Sequence, residues 1–287
     1  MSVVSVTKQL KYITGINVTI FTVDDVILTT LLLERIVMQT QDLNKTGVNI
    51  VNIVDNLLNA GYDILTQGQM KSNTSARIVR VLDTFLGNVF LRNGTAFRQN
   101  ETNLAVFTKD YSPREFQGAG AASINKIVKQ NFEVYDNDME VKQNTSQVSI
   151  TLPQSLFENL DIDSNSRKHR ISFAIYRSTL IFESSRKALE SMSMKTVHVM
   201  KSYVISGSVK GQELYNVTEP VVTTYKPLKA AVDDSTACVF FSFSANNGKG
   251  DWKFDGCSFQ GLENGVVKCY CTHLTNFAIL MVMHLFY

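Results

Sequence analysis

Between Cys238 and Met281 the chain reads CVFFSFSANNGKGDWKFDGCSFQGLENGVVKCYCTHLTNFAILM, and no other stretch constrains the fold as much. It contains all 4 cysteines and the 1 tryptophan, Trp252. Four cysteines allow three pairings. Cys269 and Cys271 are two positions apart, so on a strand both side chains face one way, and each can reach one of the earlier two. The alternative is a zinc site built from all four. Zinc usually takes cysteines separated by two to four residues, and neither the wide gap from Cys238 to Cys257 nor the tight Cys269-x-Cys271 has that spacing. Disulfides are therefore expected. In the loop-entropy account, a bridge closing about 30 residues stabilises a fold by roughly 3–4 kcal/mol.

Directly after Cys271 come Thr272, His273, Leu274 and Thr275, then an apolar run. A histidine two residues before a threonine places a base beside a hydroxyl nucleophile. The chemistry this permits is intramolecular cleavage between Leu274 and Thr275. The Thr275 hydroxyl attacks the Leu274 carbonyl, an N-to-O acyl shift gives an ester, and water hydrolyses it. His273 serves as the general base, since an imidazole near pKa 6.5 is substantially neutral at pH 7. Attack on an adjacent carbonyl needs no substrate binding, and favourable orientation supplies about 7–11 kcal/mol. Ester formation from an amide is uphill, so backbone strain at the site would help. The plain alternative is a surface histidine and an ordinary strand threonine. The position just after Cys-x-Cys is what separates the two readings. His169, His198 and His284 have no ligand-like neighbours in sequence and read as structural.

The stretch resembles the proteolysis-site (GPS) motif that ends the autoproteolysis-inducing (GAIN) domain of adhesion G-protein-coupled receptors. The resemblance rests on Cys238-Val239-Phe240-Phe241, on Gly250-Asp251-Trp252-Lys253-Phe254-Asp255-Gly256-Cys257, on the Cys269/Cys271 pair and on His273-Leu274-Thr275, in that order. Phe241 departs from the pattern, standing where the family commonly has a second tryptophan; an aromatic core role is kept. Gly207-Ser208-Val209 through Asn216 to Val222 resembles the strand pair that precedes the motif. The likeness is close over about the last 80 residues and loose upstream. It implies disulfides Cys238–Cys269 and Cys257–Cys271, cleavage at Leu274/Thr275, and a tethered agonist made of Thr275, Asn276, Phe277, Ala278, Ile279, Leu280 and Met281. As a strand this segment is apolar on both faces, which suits burial in a sandwich. As a helix it puts Phe277, Leu280 and Met281 on one face. A plain core strand is the competing reading. The implied partners are the receptor's own seven-helix transmembrane domain, an extracellular adhesion ligand and, indirectly, a G protein.

Upstream the pattern predicts an α+β chain. Apolar stripes at helical spacing run through Val26–Val37, Val48–Leu58 and Ser75–Val89, and read as a small helical bundle. Gly61 is a candidate stop for the second helix, and Asn93-Gly94 ends the bundle. Val18 to Phe21 is β-prone, and Asn159 to Lys168 reads as a loop. Short strand-like runs follow at Leu104–Phe107, Val148–Leu152, Arg170–Tyr176, Val197–Val209 and Val221–Tyr225, the spacing of a sandwich. The expected division is a helical subdomain over 1–100 and a larger antiparallel β-sandwich subdomain over 101–287, with the motif at 238–281.

Asn-x-Ser/Thr acceptors at Asn17, Asn44, Asn73, Asn93, Asn100, Asn144 and Asn216, with the clustered cysteines, argue for secretion, and the resemblance implies the extracellular side of the plasma membrane. No leader and no spanning segment is read, so the chain is expected to be an excised ectodomain. A formal charge of +2 with dispersed basic residues gives no electrostatic case for nucleic acid, and no nucleic-acid partner is expected. No cofactor or metal is expected. Two rival functions remain at this level. One is a structural or adhesive surface protein, polycystin-like, that carries the domain without G-protein coupling. The other is a secreted hydrolase, disfavoured by the lack of a glycine-elbow or metal-ligand motif. No turnover of an added substrate is expected.

Overall fold

The structure is a computed structural model of the chain. It describes residues 2–16, 21–39, 43–125, 130–137, 146–158, 167–183, 196–228 and 236–284. Val18, Thr19, Ile20, Asn17, Asn144 and most of the expected 159–168 loop lie outside these.

Five helices open the chain: α1 (Val3–Ile16), α2 (Val23–Gln39), α3 (Leu43–Leu57), α4 (Tyr62–Ser72) and α5 (Thr74–Asn88). The apolar stripes predict α2, α3 and α5; α1 and α4 come as additions. Their burial explains why. The buried residues of α1 are Thr7 and Thr14, while Tyr12, Ile13 and Ile16 are exposed. In α4 only Leu65, Gly68 and Gln69 are buried. Helix α4 carries no apolar stripe for periodicity to detect, whereas α1 carries a short one, with Val6 and Leu10 packed against the core, that the expected bundle did not include. Gly61 does not end the second predicted helix, which stops at Leu57; it is the residue that precedes α4.

Strands follow in the order β1 (Ala96–Asn100), β2 (Leu104–Tyr111), β3 (Ala119–Asn125), β4 (Gln130–Tyr135), β5 (Ser146–Leu152), β6 (His169–Tyr176), β7 (Thr196–Met200), β8 (Val204–Val209), β9 (Val221–Tyr225), β10 (Thr236–Ser242), β11 (Asp251–Lys253), β12 (Cys257–Glu263), β13 (Val266–Cys271) and β14 (Asn276–His284). One sheet runs β1-β2-β6-β8-β14-β10-β11, with β7 added on β14. The other runs β12-β13-β9-β5-β3-β4. The predicted Val197–Val209 run is two strands, β7 and β8. Both pair with the same edge of β14, through Leu280–His284 and Asn276–Phe277 respectively.

The layers are helices, first sheet, second sheet. One core joins the helices to the near face of the first sheet, including Ala174, Tyr176, Val239, Phe241, Ala278 and Leu280. A second core fills the sandwich with Phe173, Ile175, Phe277, Ile279 and Val267. The central strands of the first sheet are thus buried on both faces, which is why they read as unbroken apolar runs rather than alternating ones.

Arg170 fastens the helices to the sheet. Its Nε and Nη2 donate to the two carboxylate oxygens of Asp110 at 2.8 and 3.0 Å. Its Nη1 donates to the carbonyls of Gly87 and Val89 at the end of α5. A cation there satisfies carbonyls that have no helical partner. This holds α5 in place beside the segment described next.

Candidate functional site

Two disulfides frame the site, and none of the cysteines is free. Cys238–Cys269 joins β10 of the first sheet to β13 of the second, with Cα atoms 6.0 Å apart. Cys257–Cys271 joins directly opposed residues of β12 and β13, with Cα atoms 4.2 Å apart. Cys269 and Cys271 lie on one face of β13, and both are buried. This is the pairing implied by the resemblance, and the sulfurs are not available as a zinc set.

The glycines and aromatics of the motif have a steric role. Gly250 has φ +83°, and a Cβ there would lie 2.4 Å from the Phe241 ring. Phe241 is buried and meets Trp252, Phe182 and Phe243 edge-on, at centroid distances of 5.4, 5.3 and 5.4 Å. A phenylalanine at this position therefore fills an aromatic core. Gly256 has φ +75°, and a Cβ there would lie 2.8 Å from Thr272 Oγ1 and 3.1 Å from His273 Nδ1. Only glycine lets the 256 turn pack this closely under the segment that follows Cys271.

That segment is held by backbone bonds from both sides. Thr272 N donates to Gly256 O at 2.8 Å, and Val217 N donates to Thr272 O at 3.0 Å. Leu274 N donates to Leu214 O at 3.4 Å, and Gly207 N donates to Thr275 O at 3.1 Å. Gly207 is close-packed as well: a Cβ would come within 2.9 Å of Ile150 and 3.4 Å of Leu274.

His273 is 5% exposed, and its Nε2 has no hydrogen-bond partner. Its ring sits against Phe240 at 4.3 Å and Phe277 at 5.6 Å. Desolvation in this setting holds its pKa below the ordinary value, so the imidazole is neutral at physiological pH. The Thr275 hydroxyl donates to the Phe241 carbonyl at 3.2 Å. The structure thus brings His273, Leu274 and Thr275 to one turn, with the imidazole neutral and the hydroxyl turned toward Phe241.

A cleft of about 360 Å³ opens over this turn, lined by His273, Leu274, Thr275, Ser206, Arg80 and Asp83, among others. Arg80 and Asp83 come from α5, and sequence reasoning did not find them. An aspartate between Leu82 and Thr84 on an amphipathic helix reads as a solvated polar position, and only the docking of α5 on the sheet puts it here.

Beyond Thr275, Asn276, Phe277, Ala278, Ile279 and Leu280 are all buried, and Met281 is partly so. Between its two neighbours on that edge, β14 is bridged by Ile279: its N donates to Ser202 Oγ at 3.0 Å, and its O accepts from Lys201 N at 3.1 Å. Of the glycosylation candidates, Asn44, Asn93 and Asn216 are exposed and Asn73 is partly buried. Asn100 is also partly buried, and its Oδ1 accepts from Arg177. His169 is buried and stacks on Phe157 at 5.1 Å.

With this geometry in view, the comparisons with known proteins agree from both ends of the chain. A family profile described as GPS, GAIN subdomain B, matches residues 118–285. Another, described as ADGRA3-like, GAIN domain, matches residues 1–87. The chain belongs to the GAIN family, the domain that carries the GPS motif of adhesion G-protein-coupled receptors. It is 36% identical over 134 residues to mouse adhesion G-protein coupled receptor G2, an overlap of 46% of this chain and 12% of that protein. It is 25% identical over 252 residues to mouse adhesion G-protein coupled receptor G4, covering 85% of this chain and 8% of that protein. The full extracellular region of zebrafish Gpr126/Adgrg6 has the same fold, with TM-score 0.78 at 20% identity, over 94% of this chain and 34% of that one. The chain spans 12% or less of the length of these two curated receptors.

Proposed function

We propose that this domain stands on the extracellular side of an adhesion receptor and cuts itself once, between Leu274 and Thr275. His273 takes the proton of the Thr275 hydroxyl as Oγ bonds to the Leu274 carbonyl carbon. The imidazolium returns a proton to the Thr275 nitrogen as the C–N bond breaks. Water then hydrolyses the ester. The observation that carries this reading is the neutral, buried imidazole with an unpartnered nitrogen, one residue from the scissile carbonyl. For this step the hydroxyl leaves the Phe241 carbonyl that it donates to and turns to the imidazole.

The strand that begins at Thr275 stays bound after the cut. Phe277, Ile279 and Leu280 each contribute about 1.5–3 kcal/mol through burial. All 4 cysteines lie before the cut, so the strand is retained by packing and hydrogen bonds alone. Residues 275–281 are on this reading a tethered agonist, stored as a core strand and engaging the receptor's own seven-helix domain when withdrawn. A G protein then follows indirectly, and an adhesion ligand acts from outside. The exposed Asn44, Asn93 and Asn216 are the acceptors best placed for glycans.

The test is a reducing denaturing gel of the secreted, C-terminally tagged chain beside Thr275→Ala and His273→Ala. The wild type should split at Leu274/Thr275 while both variants stay whole. A folded, disulfide-bonded wild type that stays whole rejects self-cleavage and leaves a scaffold presenting an uncut strand.

A further inference from the structure

One wall of the cleft over Leu274 and Thr275 belongs to the helical layer. There α5 presents Arg80 and Asp83. Arg80 is already engaged: its Nη2 donates to the Phe243 carbonyl at 3.1 Å, and its guanidinium lies 5.4 Å from the Phe243 ring centroid. Asp83 has no hydrogen bond and no ion pair among the described residues. The cations nearest it along α5 are committed, Arg80 to Phe243 and Arg77 to Glu34 of α2. Tyr176 of β6 lies close enough for its hydroxyl to feel the Asp83 charge; that hydroxyl is buried and unpartnered. Glu213, Tyr215 and His273 are the other titratable groups on the cleft wall.

His273 and Asp83 line the same cleft as Leu274 and Thr275, under different conditions. The imidazole is wedged among Phe240 and Phe277 and is almost wholly enclosed. Asp83 keeps some exposure on the cleft that Leu274 and Thr275 also line, although the surrounding protein desolvates its carboxylate. We propose that Asp83 is the general base of the second half of the self-cleavage, accepting the proton of the water that hydrolyses the Leu274–Thr275 ester. The proposal rests on the self-cleavage reading above.

After the acyl shift, the Leu274 carbonyl carbon is bonded to Thr275 Oγ, and the Thr275 nitrogen is a free amine. The water oxygen bonds to that carbon, and its proton passes to the Asp83 carboxylate. The carbon–Oγ bond then breaks, and Oγ takes the proton back from Asp83. The products are a C-terminal carboxyl on Leu274 and an N-terminal Thr275 with its hydroxyl restored. No other reactant is needed. Burial pushes the Asp83 pKa up to about 7. Such a carboxylate is a stronger base than an ordinary aspartate, yet is still substantially ionised at neutral pH.

The experiment separates the two halves of the reaction. The tagged chain is secreted as wild type, Asp83→Asn, Asp83→Glu and Thr275→Ala, and is collected after a short pulse of synthesis. Each sample is split and treated with or without neutral hydroxylamine, which cleaves esters and spares amides. Asp83→Asn should complete cleavage about 10²-fold more slowly, as expected for loss of a general base. Its uncut chain should be cut by hydroxylamine at Leu274/Thr275, and the gap to wild type should shrink as hydroxide takes over at high pH. Asp83→Glu should recover part of the rate. A wild-type rate in Asp83→Asn overturns the proposal. So does an uncut Asp83→Asn chain that resists hydroxylamine, which would place the residue before the ester or in folding. A wild type that stays whole and resists hydroxylamine, as Thr275→Ala must, overturns the self-cleavage reading itself and this proposal with it.

Discussion

On one side of the Leu274–Thr275 peptide, β12 and β13 form a hairpin held by covalent bonds; on the other, β14 is held by burial. Most of β12 is exposed, including Phe259 at 43% and Leu262 at 47%. Cys257–Cys271 staples it to β13 beside their backbone ladder, while Cys238–Cys269 fixes β13 to the opposite sheet. In β14, by contrast, Asn276 to Leu280 are at most 1% exposed and pair with strands on both edges. A staple acts mainly by restricting the unfolded chain, and it survives local opening. Burial acts only while the strand is in place. The half that must remain is therefore stapled, and the half proposed to leave is merely packed. The boundary between these two ways of holding a strand coincides with the bond proposed to break.

The contrast can be broken most strongly from the packed side. Phe277→Ala removes a fully buried ring from the sandwich core and should cost about 3–5 kcal/mol of unfolding free energy. Denaturant titration measures it, and in a cleaved sample the short fragment should also dissociate faster. If the strand stays bound as tightly as wild type, packing is not what retains it. From the stapled side, the Cys257→Ser/Cys271→Ser pair opens a link with a sequence separation of 14, worth about 3 kcal/mol in the loop-entropy account. Its signature should differ, with a lowered midpoint but no faster loss of the 275–281 fragment.

A smaller effect is expected at the junction. His273 has its folded pKa depressed by burial, so the unfolded chain binds its proton more readily. Stability contributed here is present above the unfolded value near 6.5 and is lost as pH falls through the folded value. Melting temperature should therefore drop more between pH 7 and pH 5 in wild type than in His273→Leu. Equal drops would mean that the imidazole is hydrated in solution. The smallest effect sharpens the comparison from the exposed hairpin: Leu262→Ala should change stability by no more than about 0.5 kcal/mol. A large loss would show β12 covered by a partner surface.

Local chemistry is legible in the sequence alone. Cys-x-Cys faces one way on any strand, and three helices carry apolar stripes that announce themselves. Polar or borrowed burial is not legible there. Helix α4 buries Gln69, whose amide donates to Lys249 O at 2.8 Å and accepts from Ser75 N. Such contacts leave no hydrophobic period. β3 was equally silent: its small residues Ala119, Gly120, Ala121 and Ala122 are buried without looking like a strand.

The amino-acid sequence by itself determined the order of helices and strands, the cysteine cluster and the placing of a base and a hydroxyl about one peptide bond. Each of these depends on residues close together along the chain, where covalent spacing sets what can meet. Only the tertiary structure decided that Asp83, far from Thr275 along the chain, shares its cleft. It also decided what covers the two apolar faces of β14, the helical layer on one side and the second sheet on the other, because no local rule brings those layers to one strand.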